Sequence, residues 1–233
     1  MQIEEFYKRN TIVGIVGNSG SGKSTFINQF KQSSKVGIIN FNIINSIKVI
    51  DQIEYYDRFY NYKIRELEGR REEIIKMLEI DDSILDNNIY ELSESELAKV
   101  LIASVLLYNP ETIVFDEMLD SFDNKTKEKI LKLIIKLKKF FKKNIFIVTS
   151  NIDDIYEFID DVIIIDDGKV LLKGKKTILL DNINILTEKN IRVPNIVYFI
   201  NKMKEKGINL DNVDSVNELI KTIYREMRWY IEI

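Results

Sequence analysis

The chain has 233 residues, a length that suits one α/β domain with an appendage or two small units. Its 34 basic and 37 acidic residues are interspersed, and this balance argues against broad, nonspecific binding of nucleic acid. The chain contains neither cysteine nor histidine, so catalysis must rest on carboxylates, lysines, hydroxyls and a bound metal. No apolar run approaches the roughly 18 residues of a membrane-spanning helix, and the acidic N-terminus does not resemble a signal peptide. We therefore expect a cytoplasmic protein.

Apolar runs alternate with helical patterns along the chain, which predicts parallel βαβ units. The predicted strands span 11–16, 35–40, 112–115, 145–149 and 162–165, and a hairpin turn at Asp167-Gly168 leads to a sixth at 170–172. The predicted helices span 22–31, 63–80 within a charged stretch, 93–108, 123–142, 195–206 and 216–227.

Capping boxes are predicted where two of these helices begin, at Ser93 with Glu96 and at Ser215 with Glu218. Asp123 is expected to cap the helix 123–142, which has Ile130, Leu133, Ile134, Leu137 and Phe141 on one face. Lysine is dense from 125 to 143, which favours a solvated helix face, with a surface for an acidic partner as the alternative.

Residues 17–24 (GNSGSGKS) fit the P-loop pattern, and they follow a predicted strand and open a predicted helix. In such a loop the backbone N–H groups wrap the phosphates and the helix presents its positive end to them. Lys23 would reach the β and γ phosphates, and the Ser24 hydroxyl would ligate Mg²⁺. The predicted nucleotide-binding residues are Asn18, Ser19, Gly20, Ser21, Gly22, Lys23, Ser24 and Thr25.

A second acidic element completes this site. The apolar residues 112–115 end in Asp116 and Glu117. Asp116 is the predicted acid on the Mg²⁺ side, and Glu117 is placed to orient or deprotonate an attacking water as the catalytic base. The expected cofactors are ATP and Mg²⁺.

Further motifs resemble those of ABC-type ATPases. Residues 90–100 (YELSESELAKV) occupy the place of the family's signature, whose core reads Leu-Ser-Gly-Gly-Gln, and 118–123 (MLDSFD) resemble its D-loop. Residues 109–111, together with 162–169 and 172–174, also fit the family. The tail from Val193-Pro194 to Leu219 resembles the C-terminal extension of energy-coupling-factor (ECF) transporter ATPases. The resemblance covers nearly the whole chain.

The resemblance implies an α/β P-loop NTPase with a mostly parallel sheet, a helical subdomain at about 45–110 and a small C-terminal helical appendage. Only 16 residues precede Gly17, so the N-terminal β-subdomain is expected to be reduced. Residues 1–180 would form the nucleotide-binding domain and 181–233 the helical extension.

Several family positions carry other residues here. The Q-loop glutamine is missing, with Asn40 and Asn42 as its nearest substitutes, and Phe6 and Tyr7 are the nearest aromatic candidates to stack on adenine, although core packing is the favoured interpretation. Glu94, Ser95 and Glu96 replace the last three residues of the signature, and Ser150 stands at the switch histidine.

These replacements predict weak or partner-dependent hydrolysis. In the family, ATP lies between one subunit's P-loop and the partner's signature helix, so Glu94 and Glu96 put negative charge where the γ-phosphate would dock. Without a switch histidine, the γ-phosphate and water lose a positioned contact.

The resemblance implies a subunit of an ECF-type importer on the inner face of the cell membrane. Its partners would be a second ABC ATPase subunit, in a homo- or heterodimer, and an integral membrane coupling protein that docks on residues 41–90; no nucleic-acid partner is expected. The alternative is a degenerate ABC-like regulatory subunit with little hydrolysis. A small GTPase is a third interpretation, because residues 151–154 (NIDD) faintly echo the guanine-binding motif, but without its lysine.

Overall fold

The computed structural model describes residues 10–29, 35–55, 64–208, 210, 213 and 215–231. Within them lies a six-stranded sheet with the order β2-β3-β4-β1-β5-β6. The strands are β1 (Ile12–Val16), β2 (Val36–Ile39), β3 (Thr112–Asp116), β4 (Asn144–Thr149), β5 (Asp161–Asp166) and β6 (Lys169–Lys175). The first five are parallel, and β6 pairs antiparallel with β5. The structure therefore confirms the expected mostly parallel α/β sheet.

The six predicted helices are present with bounds shifted by a few residues, and three short helices, α2, α6 and α7 below, were not predicted individually. The helices are α1 (Lys23–Asn28), α2 (Val49–Ile53), α3 (Ile64–Met77), α4 (Glu94–Leu107), α5 (Asn124–Phe141), α6 (Ile178–Asp181), α7 (Ile183–Glu188), α8 (Asn195–Glu205) and α9 (Val216–Ile231). Helix α1 ends at Asn28, earlier than predicted, and residues 30–31 lie outside the described part. The division of the chain at about residue 180 stays a prediction.

The core forms two layers because successive strand residues point to opposite faces of the sheet. Val13 and Ile15 of β1 pack with Phe26 of α1 on one face. Ile12 and Val16 belong to the larger cluster on the other face, which includes most of α4. This helix is buried along most of its length, and it holds the helical layer against the sheet.

In helix α5 the predicted cap forms, and burial along the predicted apolar face stops before its last residue. Asp123 caps the helix by accepting a hydrogen bond from Thr126 N at 2.9 Å, as expected. The four predicted face residues up to Leu137 are buried, but Phe141 is 48% exposed. Phe141 is the last residue of α5, so the apolar stripe continues to the end of the helix while its burial stops before it. In the part of the chain that the structure describes, no helix is both long and apolar enough to cross a membrane.

Candidate nucleotide-binding site

The loop between β1 and α1 has the backbone that the P-loop pattern requires. Gly20 and Gly22 have φ values of 79° and 94°, in the left-handed region that favours glycine. A Cβ atom on Gly22 would also lie 2.7 Å from the Cα of Gly168 in the β5–β6 turn. That turn supports the loop, because Gly168 N donates to the Ser21 carbonyl at 2.8 Å. Position 22 therefore requires glycine for two reasons: its left-handed backbone conformation and its close approach to the backbone of Gly168.

Lys23 opens α1 and is buried against the loop that precedes it. Its ammonium donates to the carbonyl oxygens of Gly17 at 2.9 Å and Asn18 at 3.0 Å. It also forms an ion pair with Glu117 Oε1 at 3.2 Å. An ammonium has three N–H donors, so these three acceptors match its whole capacity. The predicted phosphate-binding cation is therefore joined to the predicted base.

The acidic pair lies at the carboxyl end of β3, two strands from the P-loop strand. Carboxyl ends of parallel strands meet at one edge of the sheet, the usual place for ligands in open α/β folds. Glu117 has φ 53°, a left-handed conformation that is uncommon for a residue with a side chain, and its N–H donates to Val148 O at 3.1 Å. This backbone, held by β4, directs the Glu117 carboxylate to Lys23. Strained backbone of this kind clusters at functional sites.

Asn40 is the better placed of the two Q-loop substitutes. It follows β2, and its Nδ2 donates to Asp116 Oδ2 at 3.2 Å. Asn42 has a local role instead, since its backbone N–H donates to Asn40 Oδ1 at 3.0 Å. The sequence did not distinguish Asn40 from Asn42 as the Q-loop substitute. In the structure only Asn40, of these two residues, has a hydrogen bond to Asp116, the predicted acid on the Mg²⁺ side.

The remaining predicted residues lie along the loop and the first turn of α1. Asn18, Ser19, Gly20, Ser24 and Thr25 are exposed, whereas Ser21 is buried. Among the described residues, the Ser21 hydroxyl has no hydrogen-bond partner. The two aromatic candidates for adenine, Phe6 and Tyr7, lie outside the described residues.

The switch position contacts a residue that the sequence reasoning missed. Both the backbone N–H and the hydroxyl of Ser150 donate to Asp120 Oδ2 at 3.1 Å. The Thr149 hydroxyl donates to the other Asp120 oxygen. Asp120 thus ties the loop after β3 to the end of β4. The sequence contained one indication of this role, because Asp120 follows Glu117 by three residues in the loop that leaves the same edge of the sheet.

The signature region begins α4 with the predicted capping box. Glu96 Oε2 accepts hydrogen bonds from Ser93 N at 2.9 Å and from the Ser93 hydroxyl at 2.6 Å. The hydroxyl and then the backbone N–H of Ser93 lower the pKa of Glu96. Glu96 is therefore ionised at neutral pH, and its carboxylate occupies the positive end of the helix. Of the capping box predicted for α9, the structure gives the hydrogen bond in which the Ser215 hydroxyl accepts from Glu218 N at 3.2 Å.

The C-terminal segment also contacts the P-loop. Asn18 Nδ2 donates to the Lys189 carbonyl at 3.4 Å, and the Lys189 ammonium pairs with Asp166 at 3.0 Å. This ion pair raises the pKa of Lys189. Residues just after α7 thereby border the nucleotide loop, a contact that the sequence analysis did not foresee.

Residues 151–154, which resemble part of the guanine-binding motif, form structural contacts with neighbouring helices. Asp153 accepts from Asn195 N at 2.7 Å and pairs with Arg192 at 2.7 Å, which ties it to the start of α8. Asp154 pairs with Lys127 of α5 at 2.6 Å. Both carboxylates therefore hold neighbouring elements in place.

The fold and this loop define a P-loop nucleotide-binding protein. Residues 3–120 match the family model described as ABC transporter. The chain therefore belongs to the ABC transporter family, and it is an ABC-type ATPase.

Two relatives are energy-coupling factor transporter ATP-binding proteins named EcfA2. The protein of Mycoplasma capricolum is 26% identical over 93% of this chain and 84% of its own length. The protein of Streptococcus agalactiae is 30% identical over 70% of this chain and 59% of its own length.

Solved structures of cassettes share the fold. The dimeric bacterial ABC transporter cassette MJ0796 is 25% identical, with a TM-score of 0.61 over 72% of this chain and 87% of that one. The same cassette has been solved in a post-hydrolysis state bound to ADP and Pi. The cbiO1 protein of Clostridium perfringens has a TM-score of 0.67 over 82% of this chain and 88% of its own, at 23% identity.

Proposed function

We propose that this protein is the ATP-binding subunit of an importer of the energy-coupling-factor type, which binds and hydrolyses Mg²⁺-ATP to drive uptake through membrane partners. The observation that carries the proposal is the cluster of Lys23, Glu117 and Asp116 at one edge of the sheet. The similarity to EcfA2 proteins over most of the chain supports the importer type.

Phosphate binding rests on the P-loop. The N–H groups of the first turn of α1, including those of Lys23, Ser24 and Thr25, have no acceptor within the helix and suit an anion. The Lys23 ammonium is close by, so ATP binding requires it to exchange protein acceptors for phosphate oxygens. The open space at Gly20, where a Cβ atom would meet nothing within 4 Å, leaves room for the phosphates.

The residues present suit Mg²⁺. Ser24 offers an exposed hydroxyl and Asp116 a carboxylate at the end of β3, and a hard cation prefers such oxygen ligands. Mg²⁺ usually takes only one or two protein ligands, with phosphates and waters completing its shell. The bound ion would neutralise charge on the phosphates. Asn40 orients Asp116 by donating to its Oδ2.

Glu117 is the base in this proposal. Its side chain is half exposed, so water can reach it, and its backbone is fixed by β4. Once Lys23 turns to the phosphates, the Glu117 carboxylate is free to accept a proton from the attacking water. The ion pair thus holds the base until nucleotide binds.

The second ATPase subunit would complete the site with its own signature helix. This chain's signature is a poor partner in return, because Glu96 caps α4 where a γ-phosphate would dock. A heterodimer with an intact partner is therefore the arrangement that best preserves turnover at this chain's P-loop. The alternative is a degenerate ABC-like regulatory subunit that binds ATP with little or no hydrolysis.

Docking of the membrane coupling protein is proposed at a groove of about 820 Å³ within residues 41–90. Its lining includes the apolar Ile50 of α2 and Ile75 of α3, and Lys76, Asp82 and Asp86 are exposed charged residues at its edge. An amphipathic helix suits such a groove, with its apolar face down and its polar residues at the rim. This contact would hold the protein on the inner face of the cell membrane.

Co-purification tests the assembly. Tagged chain expressed in its own cells and extracted in detergent should recover a second ABC ATPase and an integral membrane protein. The charge-swapped variant K76E/D86K should recover less of the membrane protein. The matched control K175E/E188K keeps the same net charge and changes exposed residues outside the groove. Recovery of neither partner by the unaltered chain would contradict the importer proposal.

A further inference from the structure

A small pocket lies between the end of α3, the start of α4 and the middle of α5. Its volume is about 270 Å³. The floor is apolar, and the rim is basic, with Glu79 and Ser95 also contributing. The floor comprises Met77, Leu78, Ile130 and Leu133, and the rim carries Lys99, Lys129, Lys132 and Lys136. We call this site the lysine pocket.

Other lysines in this stretch serve the fold. Lys127 pairs with Asp154 at 2.6 Å, and Lys138 pairs with Asp160 at 2.6 Å. Lys143 is buried, and its ammonium donates to Asn109 Oδ1 at 2.7 Å. The ammonium groups of these three lysines therefore have an ion-pair or hydrogen-bond partner within the protein.

The rim lysines are less well compensated. Lys132 pairs with Glu128 at 2.6 Å, and Lys99 donates to the Glu79 carbonyl at 2.8 Å. Across the described part of the chain, Lys129 and Lys136 form no ion pair. The pocket therefore keeps an excess of positive charge over its one lining carboxylate.

The spacing of these lysines works against the helix. Lys132 follows Lys129 by three positions and precedes Lys136 by four, so the three ammonium groups share one face of α5. Like charges at these spacings destabilise a helix by a few tenths of a kcal/mol per pair. An anionic ligand at the rim would relieve this repulsion.

We propose that the lysine pocket docks an acidic segment of a partner protein through one apolar anchor side chain flanked by carboxylates. The volume is below the roughly 300–1,000 Å³ of pockets for small molecules, so the pocket suits a single side chain. The residues on both sides of the anchor in the partner segment should be acidic, because their carboxylates would then face Lys129 and Lys136. The pocket is built from residues that neither the P-loop nor the acidic pair uses.

Fluorescence anisotropy with a labelled peptide tests the docking. The probe is a leucine with three glutamates on each side, titrated with the full chain at low salt. The variant K129E/K136E should weaken binding at least tenfold. The control K125E/K139E makes the same charge change at exposed positions of α5 outside the pocket, and it should bind within about twofold of the unaltered chain. Circular dichroism and ATP affinity should be unchanged in both variants.

A second peptide, with serine in place of leucine, tests the apolar floor and should bind several-fold more weakly. Equal losses in the two lysine variants would show nonspecific attraction and overturn the proposal. So would equal binding of the two peptides, or no binding at millimolar concentration. Sedimentation with phosphatidylserine vesicles covers a membrane ligand: if vesicles bind through Lys129 and Lys136 while the peptide does not, the docking of a protein segment is wrong.

Discussion

Replacing Glu117 by glutamine should tighten ATP binding, because the carboxylate competes with the phosphates for Lys23. The ammonium lies 3.2 Å from Glu117 Oε1 and also donates to Gly17 O and Asn18 O. Nucleotide can take this ammonium only if a protein acceptor releases it. Glutamine has nearly the same shape but lacks the charge, so the competing ion pair disappears.

The size of the effect follows from the exposure of the pair. The Lys23 side chain is buried, but that of Glu117 is 48% exposed, so solvent screens the attraction. A pair of this kind contributes about 0.5–1 kcal/mol. Its removal should therefore lower the Kd for ATP by about two- to fivefold, since 1.4 kcal/mol corresponds to a factor of ten. Loss of repulsion between Glu117 and the phosphates acts in the same direction.

Isothermal calorimetry with Mg²⁺-ATP measures the change. The control is Glu111→Gln, which removes another lysine–glutamate pair, with Lys35, also at 3.2 Å. Glu111 precedes β3, whereas Glu117 follows it, so the control lies at the other end of the strand. ATP affinity should be unchanged in the control. Equal or weaker affinity in Glu117→Gln, with both variants folded by circular dichroism, would refute the competition.

Four further predictions concern the nucleotide site and α4. Lys23→Ala should weaken ATP binding at least tenfold in calorimetry, since a charged hydrogen bond contributes ~1.5–3 kcal/mol; unchanged affinity would contradict the P-loop assignment. The isolated chain should hydrolyse ATP more slowly than the ~1–100 s⁻¹ of competent phosphoryl-transfer enzymes, because of Glu94, Glu96 and Ser150; a rate in that range would contradict this view of the altered motifs. In a complex whose partner site is disabled, Glu117→Gln should slow hydrolysis by ~10²–10⁴-fold, and a parental rate would exclude it as the base. Glu96→Ala should destabilise the protein by about 0.3–1.5 kcal/mol at neutral pH. Because the pKa of Glu96 is lowered by folding, this contribution is complete above the ordinary glutamate pKa, and it should fade as pH falls through the folded value; a difference in Tm from the parent that does not change on acidification would refute the charge-based cap.

Local motifs were predictable because their geometry depends on neighbouring residues. The capping box of α4 needs only Ser93 and Glu96, three positions apart, and both of its hydrogen bonds form. The Asp167-Gly168 turn was similarly evident, since both residues have the positive φ values that such a turn requires. Helix ends were harder to predict, because the hydrophobic pattern does not specify where packing ends. Helix α1, for example, ends at Asn28, earlier than the pattern indicates.

Partners distant in sequence could not be assigned in this way. Asn40 and Asn42 were equivalent candidates, and the pairing of β2 with β3 places Asn40 against Asp116. Asp120 was missed because its partner, Ser150, belongs to another strand end. Hydrophobic periodicity says which residues are buried, but it does not say which strands are neighbours.

The sequence by itself predicted the phosphate loop and the acidic pair after β3 and identified the family, because each depends on residue types at short, fixed spacing. Only the tertiary structure decided that Lys23 meets Glu117, 94 positions later in the chain. That contact requires β4 to lie between β1 and β3 and the backbone at Glu117 to turn into the left-handed region. Strand order arises from how whole layers bury their apolar faces, and that property belongs to the assembled sheet rather than to any short segment.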